Sequence, residues 1–261
     1  MTDHSVDPDD LIHGIEDAAG PLIRVIGQLT FPGMSRLSQQ LATTQSANSF
    51  AAIRAAGGRP RLVASSAAEL PGIDEVLDGA DGLLFLGGSD VDLSCYDHTG
   101  PAPRGYAGAD KRADEFSIAL LRAAAARDLP TLAFCKGSQL MNVAFGGTLI
   151  GDIEDWAMHR GAGLPGLMIE EPVTLEAGSL IAHALGRTEA VVINGHHQAV
   201  DRVADALRAV ARAADGMVEA VEHRGASFMV GVQWHPDDAL ADLDDRRRIF
   251  DALIARARPI D

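Results

Sequence analysis

Cysteine is scarce: the 261-residue chain has two, Cys95 and Cys135. At most one bridge could form, so a small disulfide-stapled domain is excluded and both side chains are expected as free thiols. Basic residues are outnumbered, with 22 Lys and Arg against 37 Asp and Glu and a net charge of −15. Nucleic-acid binding and attachment to an acidic membrane surface both need clustered cations, so neither partner is expected. Long apolar runs are missing too, and none reaches the length that spans a bilayer. The opening MTDHSVDPDD carries neither the positive segment nor the apolar core of a secretory signal, and a reducing cytoplasm is the expected location. No internal repeat, low-complexity tract or linker divides the chain. One domain over 21–261 is therefore expected, behind a flexible acidic leader over 1–20.

What is present is a 47% apolar composition, enough for a sizeable core at this length. LIRVIGQ (22–28) has the length and branching of a buried strand. The polar stretch 28–46 reads as a long loop near a cleft. ANSFAAIRAAGGRPRLVAS follows as helix, Gly-Gly stop and short strand, and ADGLLFLGGSDVD (80–92) as a strand entering a Gly-rich turn. Residues 110–130 form an amphipathic helix with Phe116, Ala119, Leu120 and Ala123 on one face and Pro130 at its end. TLAF (131–134) is a short buried strand, and KGSQLMNVAFGG (136–147) a helix stopped by glycine. Beyond it EPVTLE, AVVIN, GMVEAVEH and SFMVGVQWHP are β-rich, and a helix over 241–257 closes the chain. Alternating strands and helices imply an α/β fold with a mostly parallel central sheet, helices on both faces and a β-rich C-terminal half.

Cys135 falls between a strand and a helix. In a parallel α/β sheet that is where ligands bind, and the helix N-terminus favours a thiolate there. Gly137 would let the chain turn sharply, as in a nucleophile elbow. The turn alone leaves two readings open, a nucleophile or a packed core thiol. His235 precedes a proline and should be extended, so His235 and Asp237 would project together as a base and its orienting carboxylate. The Gly-rich turn LGGSDVD could bring backbone N–H groups to a substrate, together with the N–H of Lys136, as an oxyanion hole. The adjacent histidines in NGHHQAV suggest a metal. Strand neighbours face opposite sides, however, and no second cluster with ligand spacing accompanies them, so no metal is expected.

DGLLFLGGSDVD, DKRADEFSIALL, FCKGSQLMNVAFGGTLIGDI, NGHHQAV, DGMVEAVEH and GVQWHPD, in this order, resemble the class I glutamine amidotransferase-like superfamily. The similarity is greatest to its γ-glutamyl-γ-aminobutyrate hydrolase-like branch, peptidase C26. The resemblance implies a flavodoxin-like sheet and a Cys-His-acid triad of Cys135, His235 and Asp237. It further implies Gly88 and Lys136 as oxyanion donors, with Gln139 and His197 beside the substrate. The implied activity is cofactor-free hydrolysis of a small-molecule γ-glutamyl amide through a thioester, and a homodimer is allowed. A glutaminase subunit feeding ammonia to a synthetase, or a non-catalytic homologue, are the alternatives. Three stretches depart from the family pattern. The elbow reads Ala-Phe-Cys-Lys-Gly where the family has Gly-Ile-Cys-Arg-Gly, Asp237 replaces a glutamate, and Asn194 takes a serine position.

Overall fold

The computed structural model describes residues 4–9, 20–99, 101–154, 156–160 and 168–258. Its frame begins with β1 (Leu22–Gly27), α1 (Arg36–Ala55), β2 (Arg59–Ala64), α2 (Ile73–Leu77), β3 (Gly82–Phe85), α3 (Lys111–Ala126), β4 (Thr131–Phe134) and α4 (Lys136–Ala144). β5 (Leu149–Ile150), α5 (Trp156–His159), β6 (Ile169–Leu175), α6 (Leu180–Leu185), β7 (Glu189–Asn194) and β8 (Ala199–Val200) follow. β9 (Leu207–Ala213), β10 (Val218–His223), β11 (Met229–Val232) and α7 (Leu243–Ala257) complete it.

The strands run β2-β1-β3-β4-β11-β10-β9-β6-β7 across one sheet. The first five pair in parallel, in the flavodoxin-like order. From β11 onward the neighbours are antiparallel, so the β-rich second half widens the same sheet. Burial follows from this arrangement. β3 and β4 are buried at every residue, as strands covered on both faces must be, while β6 alternates buried and exposed.

Strand periodicity divides the core into two layers. Leu84, Leu132, Phe134 and Val232 pack with Phe50, Ile53, Phe250 and Leu253 of α1 and α7. Leu83, Phe85, Ala133 and Met229 face the other way, onto Phe116, Leu120, Leu140 and Met141 of α3 and α4. Phe134 meets Phe250 edge-on with ring centroids 5.7 Å apart, which fixes the end of β4 immediately before Cys135.

Three expectations change, and one unassigned strand is added. The segment read as a loop over 28–46 contains the start of α1, capped by Ser35, whose hydroxyl accepts from the Ser38 N–H. Part of the acidic leader is anchored: Val6 is buried in the core and its N–H donates to the Leu29 carbonyl at 2.8 Å. The helix over 110–130 stops at Ala126, four residues before Pro130, and the chain reverses through Asp128 at φ 50°. Its inner face holds Ala113, Phe116, Ser117, Leu120, Leu121 and Ala124, slightly rotated from the expected one. Finally, LRAVARA is strand β9, paired between β10 and β6. No helix of the described residues is long and apolar enough to cross a membrane.

Candidate active site

Cys135 stands where β4 ends and α4 begins. Its N–H still belongs to the sheet, donating to the Val232 carbonyl at 2.8 Å, while its own carbonyl accepts from the Gln139 N–H in the first helical turn. Such an abrupt change forces the backbone to φ 46°, ψ −107°. Among the described residues only Asp128 and Cys135 are non-glycine with positive φ. A conformation of this kind costs about 1–3 kcal/mol and persists because the surrounding structure holds it. Gly137 makes the turn possible, since a Cβ there would lie 2.8 Å from the Phe85 carbonyl oxygen. Only 8% of Cys135 is exposed, and it lines a cavity of about 490 Å³.

His235 and Asp237 reach the same cavity. They follow β11, with Asp237 in a turn that begins at Pro236, and His235 Nδ1 is 3.2 Å from Asp237 Oδ1. Both side chains are buried. Burial alone would lower the His235 pKa, but the Cys135 sulfur and the Asp237 carboxylate outweigh it and raise it well above 6.5. Both neighbours favour the protonated ring beside the sulfur. Gly87 gives the ring its space: a Cβ there would sit 2.7 Å from His235 Cε1. Helix α1 secures the acid from behind, with Ser49 Oγ donating to Asp237 Oδ2 at 3.3 Å and Asn48 Nδ2 to the Asp237 carbonyl at 2.9 Å. Gln45 Nε2 holds the neighbouring Asp238 carboxylate at 3.1 Å.

Gly88 and Lys136 border the cavity from the two strand ends that flank it. At Gly88 a Cβ would lie 2.9 Å from Gln28 Oε1 and 3.0 Å from Lys136 Cδ, so the bare backbone is a packing requirement. The Lys136 ammonium is buried 2.8 Å from Asp114 Oδ1, and it donates to Gln28 Oε1, Ser89 Oγ and the Asp90 carbonyl at 3.1–3.3 Å. A compact point charge suits those dispersed acceptors, where a guanidinium fork would favour a planar pair. The lysine side chain therefore ties the Gly-rich turn to α3 and α4.

Gln139 and His197 border the cavity as well, and both are already engaged. Gln139 Nε2 donates to the Gln198 carbonyl at 2.8 Å and Gln233 Oε1 at 3.2 Å, and Gln233 Nε2 approaches Cys135 Sγ at 3.5 Å. His197 has Asp90 Oδ1 at 2.8 Å on Nε2 and Asp152 Oδ1 at 3.1 Å on Nδ1. Burial lowers its pKa, but the Asp90 hydrogen bond and charge prevail and raise it. Its ring nitrogens brace the cavity wall instead of being free for a substrate.

Cys95 is half-buried, away from the cavity lining. Burial, then Asp114 and Asp92, push its pKa to about 12, leaving it protonated at neutral pH. Gln28 and Ser49 lie outside the family-like motifs, and Asp90, Asp114, Asp152 and Gln233 lie inside them without having been singled out; folding brings all six to the site. His196 and His197 lie in the loop after β7 rather than in a strand, and both border the cavity. His196 also meets His159, Glu171 and Glu219, brought by α5, β6 and β10, in a group able to hold a metal ion.

A family model for peptidase C26 matches residues 21–237. A candidate glutamine amidotransferase of Mycobacterium tuberculosis is 36% identical over 81% of this chain and 67% of its own length. The γ-glutamyl-γ-aminobutyrate hydrolase of Escherichia coli (strain K12) is 32% identical over 78% of this chain and 82% of its own. Among solved structures, the crystal structure of a candidate GMP synthase component from Thermoplasma acidophilum superposes with a TM-score of 0.62. It covers 92% of this chain and 96% of that one at 17% identity, a likeness of fold alone. With the family model spanning most of its length, the chain belongs to the peptidase C26 family of glutamine amidotransferase-like proteins.

Proposed function

We propose that this chain is a cysteine-dependent hydrolase that cleaves the γ-glutamyl amide bond of a small γ-glutamyl amine. The observation that carries the reading is the strained Cys135 in the wall of a cavity also lined by His235 and Asp237. The Cys135 thiolate attacks the γ-carbonyl carbon, forming a C–S bond, and the carbonyl oxygen becomes an oxyanion facing the Gly88 and Lys136 N–H groups. As the tetrahedral intermediate collapses the C–N bond breaks, and the His235 imidazolium gives its proton to the departing amine. Water then attacks the thioester while the neutral His235 takes its proton, releasing glutamate and restoring the thiolate. Asp237 keeps the ring oriented and offsets its positive charge throughout.

The 32% identity to a named γ-glutamyl-γ-aminobutyrate hydrolase supports this substrate class. The Mycobacterium tuberculosis relative favours a second reading, a glutaminase that hands ammonia to another protein. Purified chain incubated with γ-glutamyl-γ-aminobutyrate, γ-glutamyl anilide and glutamine separates the two. Turnover of the first two, absent in Cys135→Ala, is expected. Turnover of glutamine alone would favour the glutaminase, and activity retained in Cys135→Ala would remove the nucleophile from the account.

A further inference from the structure

We propose that His159, Glu171, His196 and Glu219 hold one divalent transition-metal ion, with Zn²⁺ the best fit, in a closed structural site behind the cavity wall. One ligand atom from each lies within 4.8 Å of all the others, and all four residues are buried. The facing atoms are His159 Nδ1, Glu171 Oε1, His196 Nε2 and Glu219 Oε1, and none of them has a hydrogen-bond partner. His159 Nδ1 and Glu171 Oε1 are 2.9 Å apart but not aligned as a hydrogen bond. Glu219 Oε1 is 3.4 Å from His196 Nε2 and 3.9 Å from His159 Nδ1. Tetrahedral Zn²⁺ with nitrogen and oxygen ligands places neighbouring ligand atoms about 3.4 Å apart.

The outer atoms of the same side chains explain why the inner ones are bare. His196 Nδ1 lies 2.9 Å from the Gln198 carbonyl, which can only accept, so Nδ1 carries the proton and Nε2 presents its lone pair inward. His159 Nε2 lies 3.0 Å from Asp215 Oδ2, and a proton placed there likewise leaves Nδ1 bare. Asn194 Nδ2 donates to Glu171 Oε2 at 2.5 Å and to Glu219 Oε2 at 2.9 Å, turning one oxygen of each carboxylate inward. Glu219 itself sits at an irregularity of the β9–β10 pairing, a device that redirects a side chain. Ligands each oriented by an outer hydrogen bond are the pattern of a built metal site.

Charge and chemistry narrow the occupant. Two carboxylates with two neutral imidazoles carry −2, which a divalent ion neutralises in a place that water does not reach. Two imidazole nitrogens select a first-row transition ion over Ca²⁺ or Mg²⁺, which prefer oxygen. Four protein ligands leave no open position, so the role is structural, joining α5, β6 and β10 to the 195–198 loop that presents His197 and Gln198.

Full-length protein, stripped with a chelator, reloaded with Zn²⁺ and desalted, should retain one ion per chain by elemental analysis. Cys135→Ala should retain the same amount, Glu219→Gln should lose it, and Asn194→Ala should weaken affinity about 10–100-fold. If Glu219→Gln fails to fold, Co²⁺-loaded wild type still decides: tetrahedral ligand-field bands without thiolate charge transfer are expected. No retained ion would overturn the proposal, leaving protons to neutralise the cluster. An ion lost in Cys135→Ala, or a thiolate band with Co²⁺, would place the metal at Cys135 and overturn it equally. Elemental stoichiometry is independent of turnover, so this result stands apart from the assigned activity.

Discussion

Replacing Asp237 by Asn tests how much of the chemistry depends on a charge beside His235. The two groups are 3.2 Å apart, and each is buried. At an effective dielectric constant of about 20 a pair at that distance interacts by about 5 kcal/mol, an upper bound. Measured effects are smaller: an opposite charge this close moves a pKa by about 1–3 units, or about 1.4–4 kcal/mol of imidazolium stability. Asn keeps an acceptor oxygen but not the charge, so kcat should fall about 10–1,000-fold while KM changes little. The pH profile gives a second reading. Asp237 contributes to raising the His235 pKa, so its removal lowers that pKa and moves the alkaline limb of activity to lower pH. Steady-state kinetics on a γ-glutamyl amide across pH would record both effects. Wild-type kcat with an unmoved alkaline limb would reduce the triad to a Cys135–His235 dyad and refute the reasoning.

Three further outcomes are expected. With Cys95 at a pKa of about 12, its thiolate fraction at about pH 8 is on the order of 10⁻⁴, so brief iodoacetamide treatment and peptide mapping should find Cys135 modified first. Faster labelling of Cys95 would contradict the assignment. In Gly87→Ala the new Cβ, 2.7 Å from His235 Cε1, should displace the ring and lower kcat about 100-fold with circular dichroism unchanged. An unaffected kcat would mean the ring position is not critical. Lys136→Met strands buried Asp114 and should cost about 3–5 kcal/mol in urea unfolding, much of it recovered in Lys136→Met/Asp114→Leu. Equal stability of Lys136→Met and wild type would show that the ion pair contributes nothing.

The elbow could be read directly because its signals are local: a four-residue apolar strand, a cysteine, and a glycine two positions on. The order of strands and helices around it gave the parallel half of the sheet for the same reason. The first half of helix α1, up to residue 46, escaped because its buried positions there are Gln45 and Ser46 where an amphipathic pattern expects aliphatic residues, whereas the half from 47 on was read as helix. Gln45 is there to hold the Asp238 carboxylate, so a contact behind the site weakened the periodic signal of the helix. Strand β9 was missed for a different reason, since LRAVARA mixes arginines with apolar residues in a strand that is only partly covered. The His159, Glu171, His196 and Glu219 cluster has no local spacing at all. It exists only once β6, β7, β10 and α5 are assembled, which adjacent histidines in a sequence cannot reveal.

The central claim is that Cys135 becomes covalently acylated during turnover. Acid quenching of the full-length chain while it hydrolyses a γ-glutamyl anilide, followed by peptide mass mapping, would test it most directly. A glutamyl thioester on the peptide containing Cys135, lost on hydroxylamine treatment and absent in Cys135→Ala, is the predicted result. Continued hydrolysis by Cys135→Ala, or a glutamyl adduct on Cys95 instead, would contradict it.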